Sequence, residues 1–475
     1  MCQYEIFVDV MSIKKKSPLF LECFNVNKML CWMMLFCVSS SLLAQNVDIP
    51  DVAFKSCLLA DEDINTNKDQ EIQISEAALA TDIVCVGKGI NDVKGIEAFV
   101  GLNHLDCSSN NLDSIDVSHN KELNVLRCFN NKIKALDLSQ NNNIWHLSCG
   151  GNLIDSLNVD SISTLQYLSC GGNELKYLAI DQNVNLGYLS CGGTEITEFD
   201  LSKNTQLQEL HVPYSQLKML DVSNNINLTK LNASFNSLSE IDFTNNSKLA
   251  EIDLEENNLD SLDLSYLIYL KVVICPSNEL KFIDVTHAWR IENLVVVKNK
   301  LQVLSLETNS NLTHLNCYEN EIKSLDLSLN TNLVYVNCHK NKLLYLNVKN
   351  EKNSNIWGFW AFDNADLKCI TVDDPVLSEQ VWAEIDDHTS FGANCSINSN
   401  QLNSGTVPDM MIYPNPFTDW IKVDFSETET ISIYSLDGSL VYSTKPTYDL
   451  IDVSFLSSGS YMVQQSSSYV LIVKQ

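Results

Sequence analysis

Cysteine recurs every 21 residues at Cys107, Cys128, Cys149, Cys170 and Cys191, and again in phase at Cys275, Cys317 and Cys338. Thiols at a fixed spacing could hold zinc through converging thiolates or supply a nucleophile. The interruptions of the series decide between that chemistry and plain packing. Val212, Ala233, Leu254 and Val296 stand in phase with the cysteines. A ligand or nucleophile is not exchangeable with valine or leucine, whereas a small buried hydrophobe is. The thiols are therefore expected to be reduced core residues.

A second candidate is the stretch NTNKDQEIQISE, from Asn65 to Glu76. It falls on a twelve-residue calcium-loop template, with oxygen side chains at Asn65, Asn67, Asp69 and Glu71 and a closing carboxylate at Glu76. Two departures weaken it. Asn65 replaces the usual Asp, and Gln70 stands where a glycine makes the sharp turn. The expectation is no resident cofactor, with Ca²⁺ binding of low affinity as the alternative to a structural turn. No G-x-S-x-G elbow, H-E-x-x-H helix or phosphate-binding glycine loop occurs. The eight histidines are scattered. His104, His146 and His314 share one repeat position, but lie too far apart in the series to serve one site. The chain reads as non-catalytic.

These residues sit inside a 21-residue period running from Leu102 to Leu333 without insertion. Each of twelve units opens L-x-x-L-x-C-x-x-N-x-L, as at Leu102, Leu105, Cys107, Asn110 and Leu112. Alternation around the fourth and sixth positions predicts a short strand with one face inward. Asparagine holds the ninth position from Asn110 to Asn341, except at Thr194 and Ser215. A buried amide there can pair backbone groups that stacked turns leave open. The second half reads L-x-x-L-D-x-S-x-N, as at Ile133, Leu136, Asp137, Ser139 and Asn141, with Asp, Ser and Asn suited to tight turns. The whole pattern resembles the leucine-rich repeat. The resemblance implies a β-rich solenoid of 12 units, with a parallel concave sheet and a convex side of 3₁₀ turns or short extended segments. It also implies capped ends and binding on the concave face.

Composition sets limits on partners. The 475 residues carry 31 Lys+Arg against 60 Asp+Glu, a formal charge of −29. Nucleic acid, whose phosphates need cationic side chains, is excluded as a partner, and adsorption to anionic lipid is disfavoured. At the N-terminus Lys14, Lys15, Lys16 and Lys28 precede the apolar run MLCWMMLFCV and then SSSLLAQ. This is the layout of an export signal, with residues 1–44 removed, and the run is too short for a permanent span. No later stretch resembles a membrane span.

The concave positions are the candidate ligand site. They hold Tyr167, Tyr188, His211, Tyr214, Phe235, Glu251, Asp253, His314, Tyr318, Tyr335 and His339. Aromatics on a rigid face are plausible anchors for a protein or glycan partner. Gly150-Gly151, Gly171-Gly172 and Gly192-Gly193 lie at the strand ends, where they would let a ligand approach the backbone.

Both flanks of the array read as caps, residues 45–101 before it and 356–395 after it, with the repeats at 102–355. Trp357, Phe359, Trp360, Phe362 and Trp382 can cover the open apolar end. Asp373-Asp374 and Asp386-Asp387 read as solvated loop faces. In an exported chain Cys369 and Cys395 are expected to pair, with Cys57–Cys85 a further candidate pair. A linker at 396–411 leads to a small β-sandwich at 412–475, where Asp437-Gly438 is a hairpin-turn signal. Three features resemble the C-terminal sorting domain of the type IX secretion system of Bacteroidetes. They are YPNPF with Pro414, Asn415 and Pro416, LSSGSY with Gly459 and Tyr461, and Lys474 beside the end.

Together these features predict a secreted or cell-surface binding and adhesion module, delivered by the type IX secretion machinery. A regulator or inhibitor of a surface enzyme is the alternative from another class, and a calcium-stabilised structural adhesin is a third reading.

Overall fold

The computed structural model describes residues 45–395 and, toward the C-terminus, 411–413, 420–424, 430–435, 440–444, 450–457, 459–465 and 468–474. The export signal at 1–44 and Pro414, Asn415 and Pro416 lie outside the described residues. The chain forms two compact units, Met1–Asn152 and Leu153–Gln475.

In the first unit the strands Asp82–Val84, His104–Asp106, Val125–Arg127 and His146–Ser148 pair in parallel. Each is three residues long, because only the L-x-C half of a repeat alternates. The central residue points inward; Ile83, Leu105, Leu126 and Leu147 are fully buried. In the second unit parallel pairing runs on from Tyr167–Ser169 to Gly358–Trp360. In each unit the pairing extends beyond the metre. Ile83 pairs with Leu105 and Phe359 with Val336, so the caps begin with strands of their own. Phe359, Ala361 and Asn364 take the Leu, Cys and Asn places of a further repeat that an insertion hides from a strict period.

The other side of each repeat is too short for a helix. Of the two forms expected there, the extended one occurs. Ser261–Asp263 pairs with Phe282–Asp284, and Ser324–Asp326, Tyr345–Asn347, Cys369–Thr371 and Ser390–Gly392 form a second parallel sheet. Of the described 3₁₀ turns, Ile96–Ala98 lies in the N-terminal flank and Asn353–Asn355 at the last residues of the array.

Two asparagine ladders hold the turns. The inner one behaves as the pattern predicts. Asn257 donates to the carbonyls of Ala233 (3.0 Å), Leu254 (3.1 Å) and Glu255 (3.2 Å), and its Oδ1 accepts from the Leu238 N–H at 3.0 Å. The outer ladder was read as turn residues only, yet it is just as buried. Asn204, Asn225 and Asn246 have no exposed surface. Asn225 donates to the carbonyls of Leu201 and Asn204, while its Oδ1 has no hydrogen-bond partner.

The eight ladder cysteines are buried and free. Burial pushes the Cys275 and Cys338 thiols up to about 12, which keeps them protonated at neutral pH. Disulfides join Cys57 to Cys85 and Cys369 to Cys395, with Cα–Cα distances of 6.0 and 5.7 Å.

At the end of the array Phe359 and Trp382 are buried and stack at 4.2 Å. The acidic pairs nearby are not idle loop faces. Asp373 accepts from the Glu351 and Asn353 N–H groups, Asp386 from those of Asp363 and Asn364, and Asp374 caps the helix Pro375–Val381. Each clips a turn whose donors would otherwise stay unpaired.

The C-terminal segment forms two antiparallel sheets. One holds Met411–Tyr413, Trp420–Asp424 and Leu450–Asp452; the other holds Leu440–Thr444, Ile431–Ser435, Gly459–Gln465 and Ser468–Lys474. Ile421, Ile433, Val463 and Ile472 share one buried cluster drawn from both, which is the expected sandwich.

Candidate binding face

On every strand the two residues flanking the buried one point to the open face. Stacking at a 21-residue step brings identical positions into columns, so each column is a line of side chains. In parallel in-register pairing neighbouring aromatics must then lie ring against ring.

In the second unit Tyr167 and Tyr188 stack with centroids 4.2 Å apart and planes at 5°. His211 lies 5.4 Å from Tyr188 and pairs with Glu209 at 3.4 Å. Tyr214 and Phe235 stack at 4.2 Å one column further along. Their backbones are left-handed, with φ of 53° and 54°. The same place is left-handed in the other repeats too: Gly172 and Gly193 hold it without strain, and Glu256, Ser277, Lys298, Glu319 and Lys340 hold it further along. An aromatic there costs about 1 kcal/mol relative to glycine.

An acidic band follows. Glu251 pairs with Lys230 at 3.2 Å, and Asp253 accepts from the Asn232 amide at 3.3 Å. Burial raises the carboxyl pKa of Asp253, and burial with the charges of Asp253 and Glu256 raises that of Glu255. Beyond it Val272, Ile274 and Val295 make an apolar stripe that the sequence reading did not single out.

A second aromatic group closes the face. His314 lies over Tyr335, Tyr335 lies 5.1 Å from Trp360, and Tyr318, His339 and Phe362 form a stack with successive centroids 4.5 Å apart. Trp357, Trp360 and Phe362 were expected to plug the end of the array. Only Phe359 and Trp382 do so; Trp357 is 70% exposed, and Trp360 and Phe362 join the columns. The alternation in IWGFWAF would have shown this once the extra repeat was recognised.

Gly171 and Gly192, the first glycines of their pairs, have a packing role. A Cβ on Gly192 would lie 2.4 Å from the Pro213 ring and carbonyl, and one on Gly171 would lie 2.6 Å from the Gly192 carbonyl. The next turn already occupies that space.

The first unit presents a charged cluster instead. Asp82 and His104 approach to 3.4 Å, and Arg127 lies 3.9 Å from Asp106 and donates to His146 Nε2 at 3.4 Å. Burial and then the Arg127 charge lower the His146 pKa to about 4, so the ring is neutral at ordinary pH.

The 65–76 loop is closed by its own hydrogen bonds. Glu76 accepts from the Thr66 hydroxyl and from the Asn67 and Gln73 N–H groups, while Asp69 accepts from the Glu71 N–H and the Gln73 amide. Glu71 pairs with Lys55 at 2.6 Å. Asn65 turns its amide nitrogen to the carbonyls of Leu59 and Asp69. Among the described residues no group of three or more His, Cys, Asp or Glu is placed to hold a metal ion. The buried Oδ1 of Asn65 has no hydrogen-bond partner.

The fold is that of the leucine-rich-repeat proteins. The functional domain of InlJ from Listeria monocytogenes, described as including a cysteine ladder, superposes with a TM-score of 0.58 at 23% identity, covering 91% of this chain and 98% of that one. The internalin InlF from the same species gives 0.58 at 19% identity, covering 65% and 94%. The Leptospira interrogans protein LIC12759 gives 0.52 at 18%, covering 67% and 97%. No curated protein matches the sequence as a relative. Residues 411–475 match the secretion system C-terminal sorting domain. That tail directs its carrier to the cell surface or the medium. Among the described residues no helix is long and apolar enough to cross a membrane.

Proposed function

We propose that the chain is a non-catalytic binding module that captures a protein partner on the open strand face and acts at the cell surface or in the medium. The observation that carries this reading is the set of aromatic stacks on that face, Tyr167–Tyr188, Tyr214–Phe235 and Tyr318–His339–Phe362. The ring geometry favours protein over glycan. Tyr167, Tyr188, Tyr318 and His339 spend their faces on one another and offer edges, whereas sugar stacking needs open faces. Exposed tyrosine and tryptophan beside a partly desolvated acidic band have the composition of protein anchors.

The test uses the Tyr214–Phe235 stack. Tyr214→Gly with Phe235→Gly is expected to leave the melting temperature unchanged or raise it. The same variant should retain at least tenfold less of a protease-sensitive partner from extracts of the cell's surroundings. Equal retention would sink the reading. Loss of activity confined to one residue elsewhere on the face would instead favour the enzyme-regulator reading.

The 65–76 loop belongs to this proposal as a structural turn. Melts of the full chain in millimolar Ca²⁺ and in chelator are expected to agree within about 1 °C, since tight selective binding would shift them by several degrees. A larger shift would restore the calcium-stabilised reading.

A further inference from the structure

The turn that leads into each strand is polar in most repeats. At its last position Asn143, Asn185, Asn227, Asn311 and Asn332 each donate to a carbonyl of the preceding repeat, at 2.9–3.3 Å. Two adjacent repeats abandon this arrangement. Tyr269 and Arg290 stand at the asparagine position, and Ile268 and Trp289 stand just before them. The buried outer ladder is apolar at the same turns, where Leu267 and Ala288 replace asparagine.

The replacements are exposed: Tyr266 51%, Ile268 46%, Tyr269 45% and Trp289 47%. The Arg290 guanidinium sits between two rings, 4.9 Å from the Tyr269 centroid and 4.7 Å from that of Trp289. Arg290 is one of only two arginines in the chain, and no described carboxylate pairs with it. The next residues along, Lys271 and Glu292, pair at 3.2 Å on the border. The fold does not require the rings and the guanidinium, since no other repeat carries an aromatic at the Tyr269 or Trp289 position or an arginine at the Arg290 position. They form an aromatic centre with a rim of both charge signs, the layout of a protein contact.

We infer that this turn surface, distinct from the strand face, is a two-fold contact between copies of this chain. The occupant is argued from charge. A patch that carries Arg290 and Glu292 together is complementary to itself, and a two-fold axis sets each unpaired guanidinium against the other copy's Glu292, whose second carboxylate oxygen is not used by Lys271. Away from such a patch, copies of a chain at −29 repel one another.

Sedimentation equilibrium of the exported chain from about 1 to 100 µM tests this at physiological salt. The wild type is expected to run as a dimer at the upper end. Tyr269→Asn with Trp289→Ser restores the residue types that the next repeat carries at Asn311 and Ser310, and should leave the melting curve unchanged. Its dimer dissociation constant should rise at least tenfold. Arg290→Glu should do the same. A wild type that stays monomeric at 100 µM overturns the inference and leaves the patch to a different protein. Undiminished dimerisation of the variants overturns it as well. Neither result bears on the strand face, whose test reads capture of a partner.

Discussion

Replacing Asn257 by alanine is expected to destabilise the second unit by about 3 kcal/mol, whereas Asn225→Leu should cost about 1 kcal/mol or less. Both side chains are buried amides in ladders of one kind of residue, so a view based on burial alone predicts equal losses. Hydrogen bonding separates them. Asn257 satisfies three carbonyls and one N–H through both ends of its amide. Removing it strands the Leu238 N–H in the interior, at a cost of about 1–3 kcal/mol, and takes one donor from the Ala233 carbonyl, which keeps its bond from Asn236. Asn225 uses only its nitrogen, and its unpartnered Oδ1 already offsets part of what the donors contribute. Leu267 and Ala288 occupy the equivalent place elsewhere in the array, so an apolar side chain fits. Chemical denaturation of the two variants decides the matter. Similar shifts of the midpoint would show that the outer ladder carries as much as the inner.

Deleting residues 411–475 is expected to lower the amount of chain at the surface and in the medium more than tenfold, with the repeats accumulating in the periplasm. The tail matches a sorting domain and has a buried cluster made of its own residues, Ile421 to Ile472. Its role can therefore be separated from the stability of the repeats. Ile433→Asp places an unpaired charge in that cluster and should reproduce the export defect, because a buried carboxylate without a partner unfolds so small a core. The melting of the repeats should stay where it was. Undiminished export of the truncated chain would remove the basis for the assigned destination.

The fold was legible because a solenoid is nearly one-dimensional: each repeat touches only its neighbours, so sequence period and spatial step are the same number. The cysteines were legible for a related reason, since Val212, Ala233, Leu254 and Val296 act as an internal substitution series. The outer asparagines were misjudged because the L-D-x-S-x-N half looks like an ordinary polar turn. Nothing local reveals that the amide turns inward to a carbonyl of the preceding repeat.

The sequence alone determined the strand period, the inward Leu and Cys positions, the inner amide ladder and the sorting tail. All of these are local patterns repeated in phase. Only the tertiary structure decided which side chains act together. It set Trp357, Trp360 and Phe362 beside Tyr335 and His339, gave Gly171 and Gly192 to the packing of the next turn, and lodged Arg290 between Tyr269 and Trp289. Those outcomes depend on how one repeat lies against another, and an inserted residue or a left-handed backbone changes that placement without changing the pattern.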